Sequence, residues 1–165
     1  MKTCVLVADR ARARFFVLGA PPEHRPGDAA RLLELETLVD PEGELTGNEL
    51  FSDSHSGTNH AGSGASYEYD DHREGHRREV ERRFAKRVAL AAADFARNEH
   101  AQKLVLAAEP QMLGMLRPLL PTASMKGVTL VELARDLSWH TPEHIQSALS
   151  QHGALNSNHL PRDLR

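Results

Sequence analysis

The chain has a single cysteine, Cys4, so it can form no internal disulfide and no cysteine-based zinc site. Aromatic residues are scarce, at 5%, and aliphatic side chains must therefore build most of the core. No apolar run comes near the roughly 20 residues of a membrane span. The first run, Cys4 to Ala8, stops at Asp9 and Arg10, too soon for the apolar region of a signal peptide. A membrane association is therefore not expected, and a cytoplasmic location is. Global positive charge is missing too: the net charge is −3, so contact with nucleic acid would have to come from a local patch. Also absent are the Gly-x-Ser-x-Gly elbow of serine hydrolases and the lysine motif of phosphate-binding loops. No cofactor is implied.

What is present is ordinary globular composition over 165 residues, 40% apolar and 26% charged, enough for one domain with one core. Cys4 to Ala8 reads as a strand buried on both faces, which also predicts an inert thiol. Asp9 to Arg12 is a short polar link to a second strand at Phe15–Leu18, and so brief a link predicts an antiparallel hairpin. After a Pro/Gly-rich loop, Leu33, Leu35 and Val39 alternate with Glu34 and Glu36. That pattern predicts an edge strand over 32–39 with Leu33, Leu35 and Val39 on its buried side. An edge of this kind allows homo-oligomerisation by strand pairing.

Residues 52–66 contain nothing that could bury a core face, and a flexible Gly/His-rich loop is expected over 52–76. From Glu74 to Asn98, Val80, Phe84, Val88, Ala91 and Phe95 recur at helical spacing. Lys103 to Ala108 reads as a second doubly buried strand. Pro110 opens a short helix with Met112, Leu113, Leu116 and Leu120 on its apolar face. Val128 to Val131 is the last strand. Thr141-Pro142-Glu143 starts a final helix that buries Ile145, Ala148 and Leu149 and ends at Gly153. Residues 1–152 thus form one domain, and 153–165 a polar, loose tail. The single tryptophan, Trp139, is expected to pack.

The order is three antiparallel strands followed by α-β-α-β-α. With the doubly buried runs in the middle and strand 32–39 at one edge, this is an α/β domain with an RNase H-like mixed five-stranded sheet.

Several stretches carry a family resemblance. They are Val-Leu-Val-Ala-Asp-Arg-Ala-Arg-Ala-Arg-Phe-Phe over 5–16, Tyr69 to His72 leading into Arg82 to Ala85, Leu104 to Pro110 with Leu113 and Gly114, and Val131 to Leu137. In this order and spacing they resemble the bacterial proteins required for attachment to host cells, over roughly residues 3–150. That family in turn resembles the middle domain of archaeal and eukaryotic peptide-release factors and of the ribosome-rescue factor Pelota. The resemblance implies a release-factor-like fold and a partner that is the ribosome or another structured RNA, as in translation rescue or stress. The loop that carries Gly-Gly-Gln in release factors here reads His60-Ala61-Gly62-Ser63-Gly64-Ala65-Ser66. Without that tripeptide, peptidyl-tRNA hydrolysis is not expected, whereas Pelota lacks it and still binds ribosomes.

Three groups of residues could carry chemistry. Between 73 and 87, Arg73, Arg77, Arg78, Arg82, Arg83, Lys86 and Arg87 face only three glutamates, a net charge of +4. Such a stripe attracts phosphate backbones, and equally makes a solvated face with Glu–Arg pairs four residues apart. With His60, Gly62, Ser63 and Gly64 of the loop, residues Arg73, Arg77, Arg78, Arg82 and Lys86 form the expected RNA or partner surface. His72 and His76 are four apart and could share a metal if the helix begins early enough, but surface histidines are the default and no metal is predicted. Finally, Asp9 ends the first strand and Glu109 the fourth; if those strands are adjacent and parallel, both acids lie at one sheet edge, where α/β ligands tend to bind, and Asp136 could join them. A metal-dependent nuclease of RNase H-like type would use such carboxylates. The plainer expectation is that Glu109 caps the Pro110 helix and Asp9 pairs with Arg12 or Arg14. A protein-interaction or host-attachment module is the remaining alternative.

Overall fold

The computed structural model describes residues 1–20, 23, 29–43 and 65–156, with backbone alone for 65–73 and 122. Its sheet comprises β1 (Thr3–Ala8), β2 (Arg12–Gly19), β3 (Arg31–Val39), β4 (Lys103–Ala108) and β5 (Thr129–Ala134). The helices are α1 (Ala65–Asn98), α2 (Pro110–Leu116) and α3 (Pro142–Gln151), with a 3-10 turn at Thr122–Met125. The strand order is β3-β2-β1-β4-β5. β1–β2 and β2–β3 pair antiparallel, β1–β4 and β4–β5 parallel. This is the open, mixed sheet of an RNase H-like arrangement.

β1 and β4 lie in the centre because both of their faces need cover. Every residue of each is buried. Cys4, Leu6 and Ala8 of β1 face one core with α1 and α2, while Val5 and Val7 face a second core with α3. The aromatic shortage has a structural counterpart on the α1 side. Ala85, Ala89, Ala92, Ala93 and Ala96 are buried there, and such small side chains let a long helix lie close on the sheet, with Phe84 and Phe95 as the large fillers. Phe95 also meets Phe15 of β2 with ring centroids 5.2 Å apart.

The structure corrects several expectations. The helix begins at Ala65 and not at Glu74, so residues 65–76 of the expected loop are helical. At 34 residues α1 is about 50 Å long. Its first turns are polar all round and show no apolar stripe to read, and they are extended from a packed C-terminal half by helix propagation. In β3 the alternation is broken by a register shift between Phe15 and Phe16, opposite Glu36 and Glu34. The extra residue is Leu35, a β-bulge that leaves it 53% exposed instead of buried. Leu32 is the buried leucine, with Leu33 and Leu38 packed at the margin of the other core. The region after α3 is not loose at its start. Gly153 takes φ +69°, the left-handed turn that ends a helix, and lets Ala154 N–H donate to Leu149 O at 2.8 Å. Ala154 is buried, and Lys103 Nζ donates to Asn156 O at 2.8 Å.

Candidate nucleic-acid interface

The C-terminal ends of β1, β4 and β5 form one rim of the sheet, and the β1–β2 hairpin crosses it. The hairpin is tight because Asp9 closes it. Its Oδ1 accepts from the backbone N–H of Ala11 at 2.8 Å and of Arg12 at 2.7 Å, and its own N–H donates to Arg12 O at 2.8 Å. Asp9 therefore serves the turn backbone, not the side chain of Arg12 or Arg14. Nor does Glu109 cap α2: it occupies the cap position but makes no side-chain cap bond, and its Oε1 accepts from Arg10 Nε at 3.0 Å. Asp136 Oδ1 accepts from Ser138 N–H at 3.0 Å and Oγ at 2.6 Å. Each of the three carboxylates is engaged in its own local contact. Among the described residues no three histidine, cysteine or acidic side chains are grouped so as to hold a metal ion. His72's side chain lies outside the described residues, as do all of His60, Gly62, Ser63 and Gly64. His76 Nε2 faces Glu42 Oε1 at 3.3 Å.

On the α1 side of the rim, Arg10 reaches a carboxylate that was not among the candidate site residues. Glu81 is only 3% exposed. Its Oε2 accepts from Gln111 Nε2 at 3.0 Å, while Oε1 lies 3.8 Å from Arg10 Nη1 and 3.7 Å from Arg77 Nε without a hydrogen bond. Arg10 stays firmly charged, held first by its hydrogen bond to Glu109. Glu81 counts as one of three acids offsetting the basic run, yet its spacing to Phe84, Ala85 and Val88 places it on the buried stripe. That spacing was the signal for it.

The arginines on the outer face of α1 are differently placed. Arg78, Arg82, Arg83, Lys86 and Arg87 are exposed. Arg78 pairs with Glu74 one turn back, Arg82 with Glu79 at 3.6 Å, Arg83 with Glu42 at 3.3 Å and Arg87 with Asp40 at 3.9 Å. Arg77 is turned partly inward to Glu81. The side chain of Arg73 lies outside the described residues. Thus Arg78, Arg82 and Lys86, each four residues from the next, form one open row, with Arg83 and Arg87 alongside. The pairs of Arg78, Arg82 and Arg83, whose carboxylates are about half exposed, are worth about 0–1 kcal/mol each, so a phosphate can replace those carboxylates at small cost.

On the opposite side of the rim, the bulge in β3 puts Glu34 and Thr37 on the same face as Arg14 of β2. Arg14 binds Glu34 through Nε at 2.9 Å and Nη2 at 2.7 Å, and Thr37 Oγ1 donates to Glu34 Oε1 at 2.9 Å. The Arg14 hydrogen bond is the main reason the Glu34 carboxyl titrates below its usual range. Arg14 Nη1 then donates to the carbonyl oxygens of Ser138 at 2.9 Å and His140 at 2.7 Å. Those two carbonyls flank Trp139. The residue expected to pack is instead 70% exposed, and the Arg12 guanidinium lies 4.4 Å from its ring centroid. The cleft beside it, of about 420 Å³, is lined by Arg12, Arg14, Glu34, Thr37, Trp139 and His140 among others. Sequence gives no cue to this arrangement, because Arg14 and Ser138 are 124 positions apart.

Sheet order and layering define an α/β domain of the RNase H-like class, with cationic and aromatic groups gathered at one rim. Within that class the chain belongs to the family described as protein required for attachment to host cells, which it matches over residues 4–149. No curated protein matches it. Among the described residues no helix is long and apolar enough to cross a membrane.

Proposed function

We propose that the protein is a non-catalytic RNA-binding domain of release-factor middle-domain type, which lays the outer face of α1 on the phosphate backbone of ribosomal or other structured RNA. The observation that carries this reading is the open row of Arg78, Arg82 and Lys86, flanked by Arg83 and Arg87 on one helix. Their acidic partners Glu74, Glu79 and Glu42 are about half exposed, so the pairs yield readily to phosphate. With an overall charge of −3, such binding has to come from a local basic patch, and this face supplies one. Asp9, Glu109 and Asp136 being tied up locally, and Gly-Gly-Gln being absent from the sequence, both favour a binding role over hydrolysis.

The test is ribosome co-sedimentation together with filter binding to a structured RNA over a salt series. Contact with about three to five phosphates predicts a slope of log K against log salt of about −3 to −4.5 on duplex RNA, taking the duplex DNA coefficient. Reversing Arg78, Arg82 and Lys86 to glutamate should abolish binding at moderate salt. Wild type that binds neither target, or a triple variant that binds as wild type does, overturns the reading.

A further inference from the structure

We infer that Trp139 and Arg12 form a second RNA-contact site, a platform on which an unpaired nucleobase stacks, on the sheet face opposite α1. An exposed tryptophan is costly to leave in water, and a flexible loop would fold it down. Here the loop is held so that it cannot. Arg14 ties the carbonyls on both sides of Trp139, Asp136 caps Ser138, and the Thr141 hydroxyl caps the next helix by accepting from His144 N–H. The ring is thus presented on a preorganised support, with a guanidinium already stacked on it.

The cleft discriminates among occupants. Apart from the Trp139 and Pro142 rings its lining is polar or charged, so an aliphatic anchor of a protein partner finds no apolar pocket. A flat ligand with a π-face and a hydrogen-bonding edge suits it better: the face on Trp139, the edge toward Thr37 and His140. Nucleobases have that form, and aromatic stacking accepts any of them. Continuity points the same way. In the hairpin of residues 9–12, Arg10 turns toward α1 and Glu109 while Arg12 turns to Trp139. A strand whose phosphates run along α1 can therefore cross the rim and deliver a base to the platform. The choice of RNA as ligand rests on the reading of α1 above, but the surface is separate.

Because Trp139 is the only tryptophan, its emission reports this site alone. A short unstructured oligoribonucleotide is titrated against the protein, followed by tryptophan emission and, with a labelled strand, by anisotropy. Saturation should quench Trp139, and an abasic strand of the same length should bind without quenching. Trp139→Ala should weaken the base-containing strand by roughly five- to hundredfold, with Trp139→Phe retaining most of the affinity. An unchanged urea midpoint shows that these variants stay folded. Binding that is salt-dependent but neither quenches Trp139 nor suffers from Trp139→Ala overturns the platform and leaves the α1 reading standing. Quenching that persists at saturation in the Arg78, Arg82 and Lys86 reversal supports the platform on its own. Emission that answers to an acidic polypeptide and not to RNA assigns the site to a protein and overturns the proposal. Absence of oligoribonucleotide binding by either readout overturns it as well.

Discussion

Arg14 and Glu34 meet as a two-pronged pair, Nε to Oε1 at 2.9 Å and Nη2 to Oε2 at 2.7 Å, across neighbouring strands. The same guanidinium holds the backbone of the Trp139 loop, so strand pairing and loop position are joined through one side chain. Arg14→Met removes the donors of two carbonyls and of Glu34 together, and should cost about 2–4 kcal/mol by urea denaturation. It should also release the Trp139 loop, so that the ring folds down and its emission shifts to shorter wavelength than in wild type.

The Glu34 side of the pair has a pH signature. Hydrogen bonding to Arg14 depresses the folded-state value of Glu34 below the ordinary 4.5. An acid depressed on folding contributes stability that is full above its unfolded value and is lost as pH falls through the folded one. The stability difference between wild type and Glu34→Gln should therefore be largest at neutral pH and shrink below about 4.5. A difference that stays constant across that range would show that the carboxylate charge is not what Arg14 recognises.

Where one residue type has one physical use, sequence and structure agree. The continuous apolar runs at 4–8 and 103–108 could only be central strands, and Pro110 and Thr141-Pro142 begin helices where expected. Departures arise where tertiary contacts override a local pattern. Leu-Glu-Leu-Glu alternation continues unbroken through Leu35, so nothing in it marks the bulge. Trp139 would pack if left to its own hydrophobicity, and its exposure depends on Arg14 from a distant strand. The outer face of α1 was readable from charge spacing, whereas its first turns have no apolar face to betray a helix. The expected strand at Phe15–Leu18 reaches back to Arg12 because Asp9 tightens the hairpin by its own hydrogen bonds.

The bulge makes a sharp prediction about β3. Leu32→Ala should cost about 2–5 kcal/mol, as for a buried leucine, while Leu35→Lys should fall within about 0.5 kcal/mol of wild type. Unbroken alternation would give a large cost at position 35. Gln146 adds a second consequence for this edge. Its side chain accepts from Leu32 N–H at 2.9 Å and donates to Ala30 O at 2.9 Å, occupying backbone groups that another strand would need. If copies associate through β3, Gln146→Ala should strengthen the concentration dependence of sedimentation and Leu35→Lys should weaken it.

Cys4 is fully buried, and burial, more than any neighbouring charge, raises its thiol to about 11 from 9.0. The native thiol should resist disulfide reagents at mildly alkaline pH and react only as fast as the chain unfolds. Because the folded value is raised, the stability this thiol contributes is full below 9.0 and lost as pH rises toward about 11. Cys4→Ala should remove that part of the alkaline decline, seen as a flatter dependence of the urea midpoint on pH. Fast native-state labelling would show that β1 opens without global unfolding.

Glu81 tests whether a buried charge organises the rim or is merely tolerated there. Its carboxylate accepts one hydrogen bond from Gln111 and lies beyond hydrogen-bond reach of Arg10 and Arg77. Those two arginines are partly exposed, so water can take over if the carboxylate is removed. Glu81→Met, similar in length and apolar, should then stay within about 1 kcal/mol of wild type, since desolvating a carboxylate offsets much of what its neighbours return. Glu81→Lys would bury a third cation beside the two arginines and should cost about 3–5 kcal/mol. RNA affinity supplies an independent readout. Under the proposed binding of RNA by α1, removing one negative charge beside Arg77 should tighten phosphate binding and steepen its salt dependence. A Glu81→Met variant that loses more than about 3 kcal/mol would show instead that the carboxylate fixes how Arg10 and α1 meet at the rim.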